Sequence, residues 1–282
     1  MTTPAPPITT GSFQGVLHPH DVARILNLLV TGAPFANTLS QYPTSRSAVA
    51  FPTAKPDRPQ WLGEFDPIPV VGLGDDADIV GVCKLASIVL MSNESVSDAG
   101  INLTTEFTQL LQDTASAELD RGVLYGEGAP EPAGAVAAAL PAAGDDLGAA
   151  ITAAIGSIGD SGGQATHLAA RPSVLAAARD FRGGTGEHLH PDGIGASYGL
   201  AEVGVPELKA ADVLVLDQTR TWLIVRNDFQ VDQSGDAFFD RDAWALRLRG
   251  RFAVAAPDLP KSLRRLEVAD ARRAAARPAS KG

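Results

Sequence analysis

One cysteine in 282 residues is the first thing this sequence withholds. Cys83 alone excludes an intramolecular disulfide framework and a cysteine-based zinc site. Its setting, IVGVCKLASIVLM, reads as a small buried hydrophobe inside an apolar run. No stretch approaches about eighteen consecutive apolar residues, so no membrane span is expected. The opening MTTPAPPITT has no basic segment followed by an apolar core. No secretory signal is therefore expected, and the chain should be made and should fold in a reducing cytoplasm.

Nucleotide signatures are missing too. The segment LYGEGAPEPAG, 124–134, has the glycines of a phosphate loop but not its architecture. Such a loop follows a strand, opens a helix and converges N–H donors on the anion. Here a periodic segment comes first, and Pro130 and Pro132 remove two donors. The segment reads as a helix exit, turned by glycine and stopped by proline. A Gly-x-Ser-x-Gly nucleophile elbow is not expected, and Asp75-Asp76 and Asp145-Asp146 read as turn and cap residues. Glu187-His188-Leu189-His190 is the best metal candidate, because on a strand both rings would share a side. It lies in a glycine-rich loop, however, with no third ligand set by spacing, and reads as a solvated turn. His18 and His20, in the N-terminal segment, are weaker still. No catalytic, cofactor-binding or metal residue is assigned, and no enzyme is expected.

What is present is a folding composition, 45% apolar, with 28 glycines and 20 prolines for turns. The net charge of −10 is unevenly spread. Residues 241–282 hold eleven Lys/Arg against four Asp/Glu, while the first 240 hold twelve against twenty-nine. The arginines of LRLRGRFAV (Arg247, Arg249, Arg251) alternate with apolar residues, as on a half-buried strand with one solvated face. Overall acidity opposes polyanion binding, so the asymmetry favours self-association, a basic edge meeting an acidic face.

Along the chain, 1–18 read as a disordered or extended arm, and HPHDVARILNLLV as a short helix with Val22, Ile25, Leu26 and Leu29 on one face. Pro52, Pro56, Pro59 and Pro67 punctuate an extended β-hairpin with strands near 48–51 and 68–73. Phe51, Trp61 and Phe65 lie on it without an evident local core, so they are expected to bury against another surface. Residues 79–91 read as one buried strand. The strongest helix follows, about 98–120, with Asp98 expected as its N-cap. Beyond the glycine exit come a helix capped by Asp145 or Asp146, a strand at 166–169, a helix started by Pro172, two short strands around a polar turn and a long closing strand. The basic tail is expected to be disordered.

This order of parts resembles the tailed-phage major capsid proteins of the Hong Kong 97 type. The matching residues are Lys84-Leu85-Ala86, Ser92 and Glu94 before the long helix, then Gly126, Gly128, Pro132 and Gly134 at its exit. THLAARPSVLAAARDFRGGTG resembles the strand–helix unit of the family's axial domain, and GDAFFDRDAWALRLRGRFAVAAPDL its closing strand. The resemblance spans about 22–268.

It implies an α+β capsid fold: an N-terminal arm (1–47), an extended loop (48–80), a peripheral domain with the spine helix (81–130), an axial domain (131–217), then return strands and a basic tail (218–282). It implies self-assembly through pentamers and hexamers into an icosahedral virion shell around double-stranded DNA, held without sequence-specific binding. Phe51, Lys55, Trp61, Phe65, Arg247, Arg249 and Arg251 are the candidate inter-subunit contacts. A long scaffolding region has no room before the arm, so a separate scaffolding protein, or none, is expected; portal and decoration proteins are further partners. Some members join a loop lysine to a neighbour's asparagine. Lys55 could be the lysine, but no asparagine lies beyond Asn227, so a cross-link is not expected. The alternative is an encapsulin-like compartment enclosing cargo enzyme.

Overall fold

The computed structural model describes residues 32–52, 61–65, 68, 77–92, 94, 103–182, 187–238, 240 and 242–268. The expectations for the arm and its helix, for Lys55, for Asp98 and for the tail lie outside these residues.

The described chain opens on a five-residue helix, α1 (Pro34–Thr38), with proline in its first turn. Strands β1 (Ser40–Pro43), β2 (Ala48–Pro52), β3 (Ala77–Gly81) and β4 (Cys83–Ser92) follow. The extended hairpin forms, but the return strand is β3, with Ala48 opposite Gly81 and Pro52 opposite Ala77. Of 68–73 only Ile68 is described, and it is not in a strand. It stands between Pro67 and Pro69, neither of which has an N–H to give a ladder. The single buried strand expected at 79–91 is corrected as well. Val82 breaks it, and β4 alternates: Leu85, Val89 and Met91 pack inward while Ile88 and Leu90 are exposed. Both faces carry large apolar residues in sequence, Ile88 and Leu90 on one and Leu85, Val89 and Met91 on the other, which is why alternation gave no signal.

Helix α2 (Leu103–Tyr125) is the spine, roughly 34 Å long at the standard rise. It runs past the expected end at 120. Leu111, Ala115, Leu119 and Val123 recur every fourth residue and form its buried stripe. The glycine exit is built by close backbone approach: Gly134 N–H donates to Gly126 O at 2.8 Å. A Cβ on Gly126 would run into the Pro132 carbonyl, and one on Gly134 would meet the Leu124 carbonyl at 2.6 Å. Gly128, at φ +95°, makes the turn between them.

Next come α3 (Ala135–Ala138), β5 (Leu140–Gly144) and α4 (Leu147–Asp160). Asp146 caps α4, its side chain accepting from Ala149 N–H at 2.7 Å. Then follow β6 (His167–Ala170), α5 (Pro172–Arg179), α6 (Ile194–Ser197), β7 (Ala201–Gly204) and β8 (Leu214–Leu216). A 3₁₀ turn at Gln218–Arg220 leads to β9 (Trp222–Phe238), β10 (Ala243–Ala255), α7 (Leu259–Ser262) and β11 (Leu263–Val268). The second of the two expected short strands is thus 17 residues long.

Two mixed sheets organise the molecule. One runs β1-β9-β10-β4 and packs its inner face on α2; the other runs β5-β11-β8-β6-β7 and packs on α4. The third, β2-β3, is the hairpin root. The closing segment does not end in the first sheet: β11 crosses to the second, parallel to β5 and antiparallel to β8. Its apolar Leu263 and Leu266 are buried there, and Arg264 is held by Ser157 Oγ and the Leu259 and Pro260 carbonyls.

Candidate assembly surfaces

Phe51, expected to seek a neighbour, is a core residue of its own chain. It is 8% exposed, stacks on Trp222 at 5.3 Å between ring centroids and packs with Val49, Ile224 and Ala253. Trp222 lies far away in sequence, so this cover was invisible there. Trp61 and Phe65 behave differently. They are 103% and 97% exposed, and Ile68 beyond them is 82% exposed. Phe65 also stands at φ +73°, a left-handed conformation unfavourable for a residue with a Cβ.

Arg247, Arg249 and Arg251 alternate with the buried Leu246, Leu248, Gly250 and Phe252, so the one-faced strand is as the spacing predicts. Their register sets Arg247 opposite Ile88, Arg249 opposite Ala86 and Arg251 opposite Lys84. Arg247 and Arg249 both reach Asp232, at 2.9 and 3.3 Å, so two cations share one carboxylate. Further along the same face of β10, Ala253 and Ala255 are covered by the hairpin root. The open part is a basic stripe edged by Ile88 and Leu90, two exposed residues that sequence reasoning missed. Since β4 is an edge strand, its outer backbone has no partner strand in the described sheet.

The residues set aside as chemistry stay apart. His188 Nδ1 lies 3.1 Å from Arg179 O and His190 Nδ1 lies 2.9 Å from Ser197 Oγ, so the two rings have different partners. Among the described residues, no three His, Cys, Asp or Glu are grouped to hold a metal ion, and no helix is long and apolar enough to cross a membrane. Two stretches spell the Gly-x-Ser-x-Gly pattern that was not expected: Gly195-Ala196-Ser197-Tyr198-Gly199, whose serine closes the short α6 ahead of β7 and donates to Gly193 O at 3.2 Å, and Gly159-Asp160-Ser161-Gly162-Gly163. The second ends a helix where an elbow joins strand to helix, and Ser161 Oγ donates to Ser157 O at 2.9 Å.

The match to known sequences is decisive. The model of the phage capsid family aligns with residues 18–261. The chain belongs to the phage capsid family. No curated protein sequence matches it. Solved structures share this capsid fold at low identity. One from Mycobacterium phage Bobi has a TM-score of 0.70 at 20% identity, covering 84% of this chain and 90% of that one. One from Microbacterium phage Oxtober96 has a TM-score of 0.69 at 20% identity, with the same coverage. The capsid of a native GTA particle has a TM-score of 0.67 at 15% identity and covers 94% of this chain and 95% of that one. The fold is therefore of the Hong Kong 97 type, and the protein is a major capsid protein, a structural subunit of the virion shell that works as an oligomer. The encapsulin-like alternative is not favoured.

Proposed function

We propose that this capsid protein assembles head to tail into five- and six-membered rings that close an icosahedral shell around double-stranded DNA. It is made and assembled in the bacterial host cytoplasm and performs no catalysis. Scaffolding, portal and decoration proteins are its candidate partners. The observation that carries this reading is the state of the extended loop. Trp61 and Phe65 are uncovered, and Phe65 carries backbone strain as well. An aromatic ring buries about 150–250 Å², several kcal/mol at about 25 cal/mol per Å² before ordering is subtracted. Strain and exposure together make sense when the loop lies across a neighbouring copy.

Charge suggests where on the neighbour. Residues 53–76 hold five acids and two bases alongside their apolar groups. The stripe of Arg247, Arg249 and Arg251, edged by Ile88 and Leu90, has the complementary character. The acidic remainder of the body keeps the wall from gripping the genome it encloses.

Electron microscopy of the purified full-length protein, concentrated at near-physiological salt, tests this reading. Rings and closed shells are expected. Monomers alone at every concentration, with or without co-expressed neighbours from the same genome, would overturn it.

A further inference from the structure

The spine helix holds one buried carboxylate, and the groups bonded to it are not among the assembly residues above. Asp120 is 1% exposed, and each of its oxygens receives one backbone N–H: Oδ2 from Phe35 at 3.0 Å and Oδ1 from Ala36 at 2.8 Å. These are N–H groups of the first turn of α1, which the helix itself cannot satisfy. α1 has no capping side chain at its own start, because Ala33 occupies the cap position. The cap is delivered from 84 residues away, across the fold.

The seat itself is tight. Phe35, Ala36 and Leu39 are buried with Leu119 and Val123 in the core beneath α2, and a Cβ on Gly32 would meet Ser116 Oγ at 2.8 Å. α1 carries no charged side chain, and the charged group acting on Asp120 is Glu207, on the segment after β7. A buried carboxylate beside another acid is a poor choice for stability alone, because an apolar pair would avoid its desolvation. What it adds is direction, since two charge-assisted bonds to successive N–H groups fix both position and angle.

We propose that Asp120 is the anchor of the N-terminal entry into the body: by holding the first turn of α1 on the spine helix it fixes the position and direction of the chain at Gly32, a geometry that shell assembly requires. This rests on the shell reading above. It makes Asp120 a positioning residue for assembly, with no contact to a neighbour itself.

The test compares the full-length wild type with Asp120→Asn, which keeps the shape but turns one acceptor into a donor facing an N–H. Hydrogen exchange on dissociated subunits is expected to show protection at Phe35 and Ala36 falling at least tenfold. The amide of Gly126, bonded to Gly122 O at 2.9 Å, should keep its protection as the internal reference. Shell yield should fall at least tenfold, or the shells should be misshapen. Wild-type shells from the variant, in yield and size, would overturn the proposal, as would unchanged protection at the two amides. If the variant does not fold, Glu207→Gln replaces it: removing the neighbouring acid should raise protection at both amides near pH 6, where the carboxyl is only partly ionised, and no change there also overturns the proposal. Should the wild type form no shells at all, the assembly reading fails, whereas the amide data still report on the anchor.

Discussion

Asp120 carries its chemistry into solution behaviour. Burial pushes its carboxyl up to about 6 from 3.8, with Glu207 adding to the push, while the N–H groups of Ala36 and Phe35 pull it down. The folded chain therefore binds this proton more tightly than the unfolded one. The stabilisation is fully present below about pH 4 and is lost as pH rises towards 6. The stability of wild type relative to Asp120→Asn should fall by roughly 2–3 kcal/mol between pH 4 and 6.5, at about 1.4 kcal/mol per pKa unit. Urea unfolding of both proteins across that range checks it; parallel pH profiles would rule it out. Phe51 makes a second residue-scale prediction. Phe51→Ala should cost the isolated subunit about 3–4 kcal/mol, as for a buried aromatic. A residue that waited for a neighbour would leave the subunit's unfolding midpoint in place.

At the scale of elements, the extended loop and the basic strand divide stability from assembly. Phe65→Gly removes an exposed ring and relieves a left-handed backbone. The isolated subunit should be as stable as wild type or gain up to about 1 kcal/mol, the relief exceeding glycine's entropy. Shell yield should drop all the same, and a calorimeter with a micrograph separates the two effects. Arg247→Gln with Arg249→Gln should likewise leave subunit melting nearly unchanged, since exposed pairs contribute about 0–1 kcal/mol. Their effect should be seen in assembly, which the double variant is expected to abolish at low salt. Assembly at the wild-type level would show that the stripe faces no neighbour. The spine helix was legible as an element because its apolar residues keep helical spacing without a proline. β4 was not, because Ile88 and Leu90 look the same in sequence as Leu85 and Val89, and only pairing to β10 says which face is outside.

Across the whole molecule, the chain crosses between its two sheets repeatedly. β4 leaves the first sheet, α2 leads to the second, β9 and β10 return, and β11 departs again. The two lobes are also pinned at the helix end. Tyr125 Oη lies 2.7 Å from Asp212, receives the Lys209 N–H at 2.9 Å and has the Lys209 ammonium over its ring. Burial above all pushes the Tyr125 phenol up to about 12, so it stays protonated and can donate to Asp212.

Local patterning in the sequence determined much of this protein. The glycine exit, the Asp146 cap, the proline-started helix at 172 and the alternation from 246 to 252 are each set by neighbours within a few residues. Their order was enough to suggest the capsid fold. Tertiary structure alone decided what long-range contact decides. It buried Phe51 under Trp222, sent β11 into the second sheet, and brought Asp120 to cap a helix 84 residues earlier. An apolar or acidic side chain carries no mark of its distant partner, because burial and hydrogen bonding depend on proximity in space, which only the closed fold supplies.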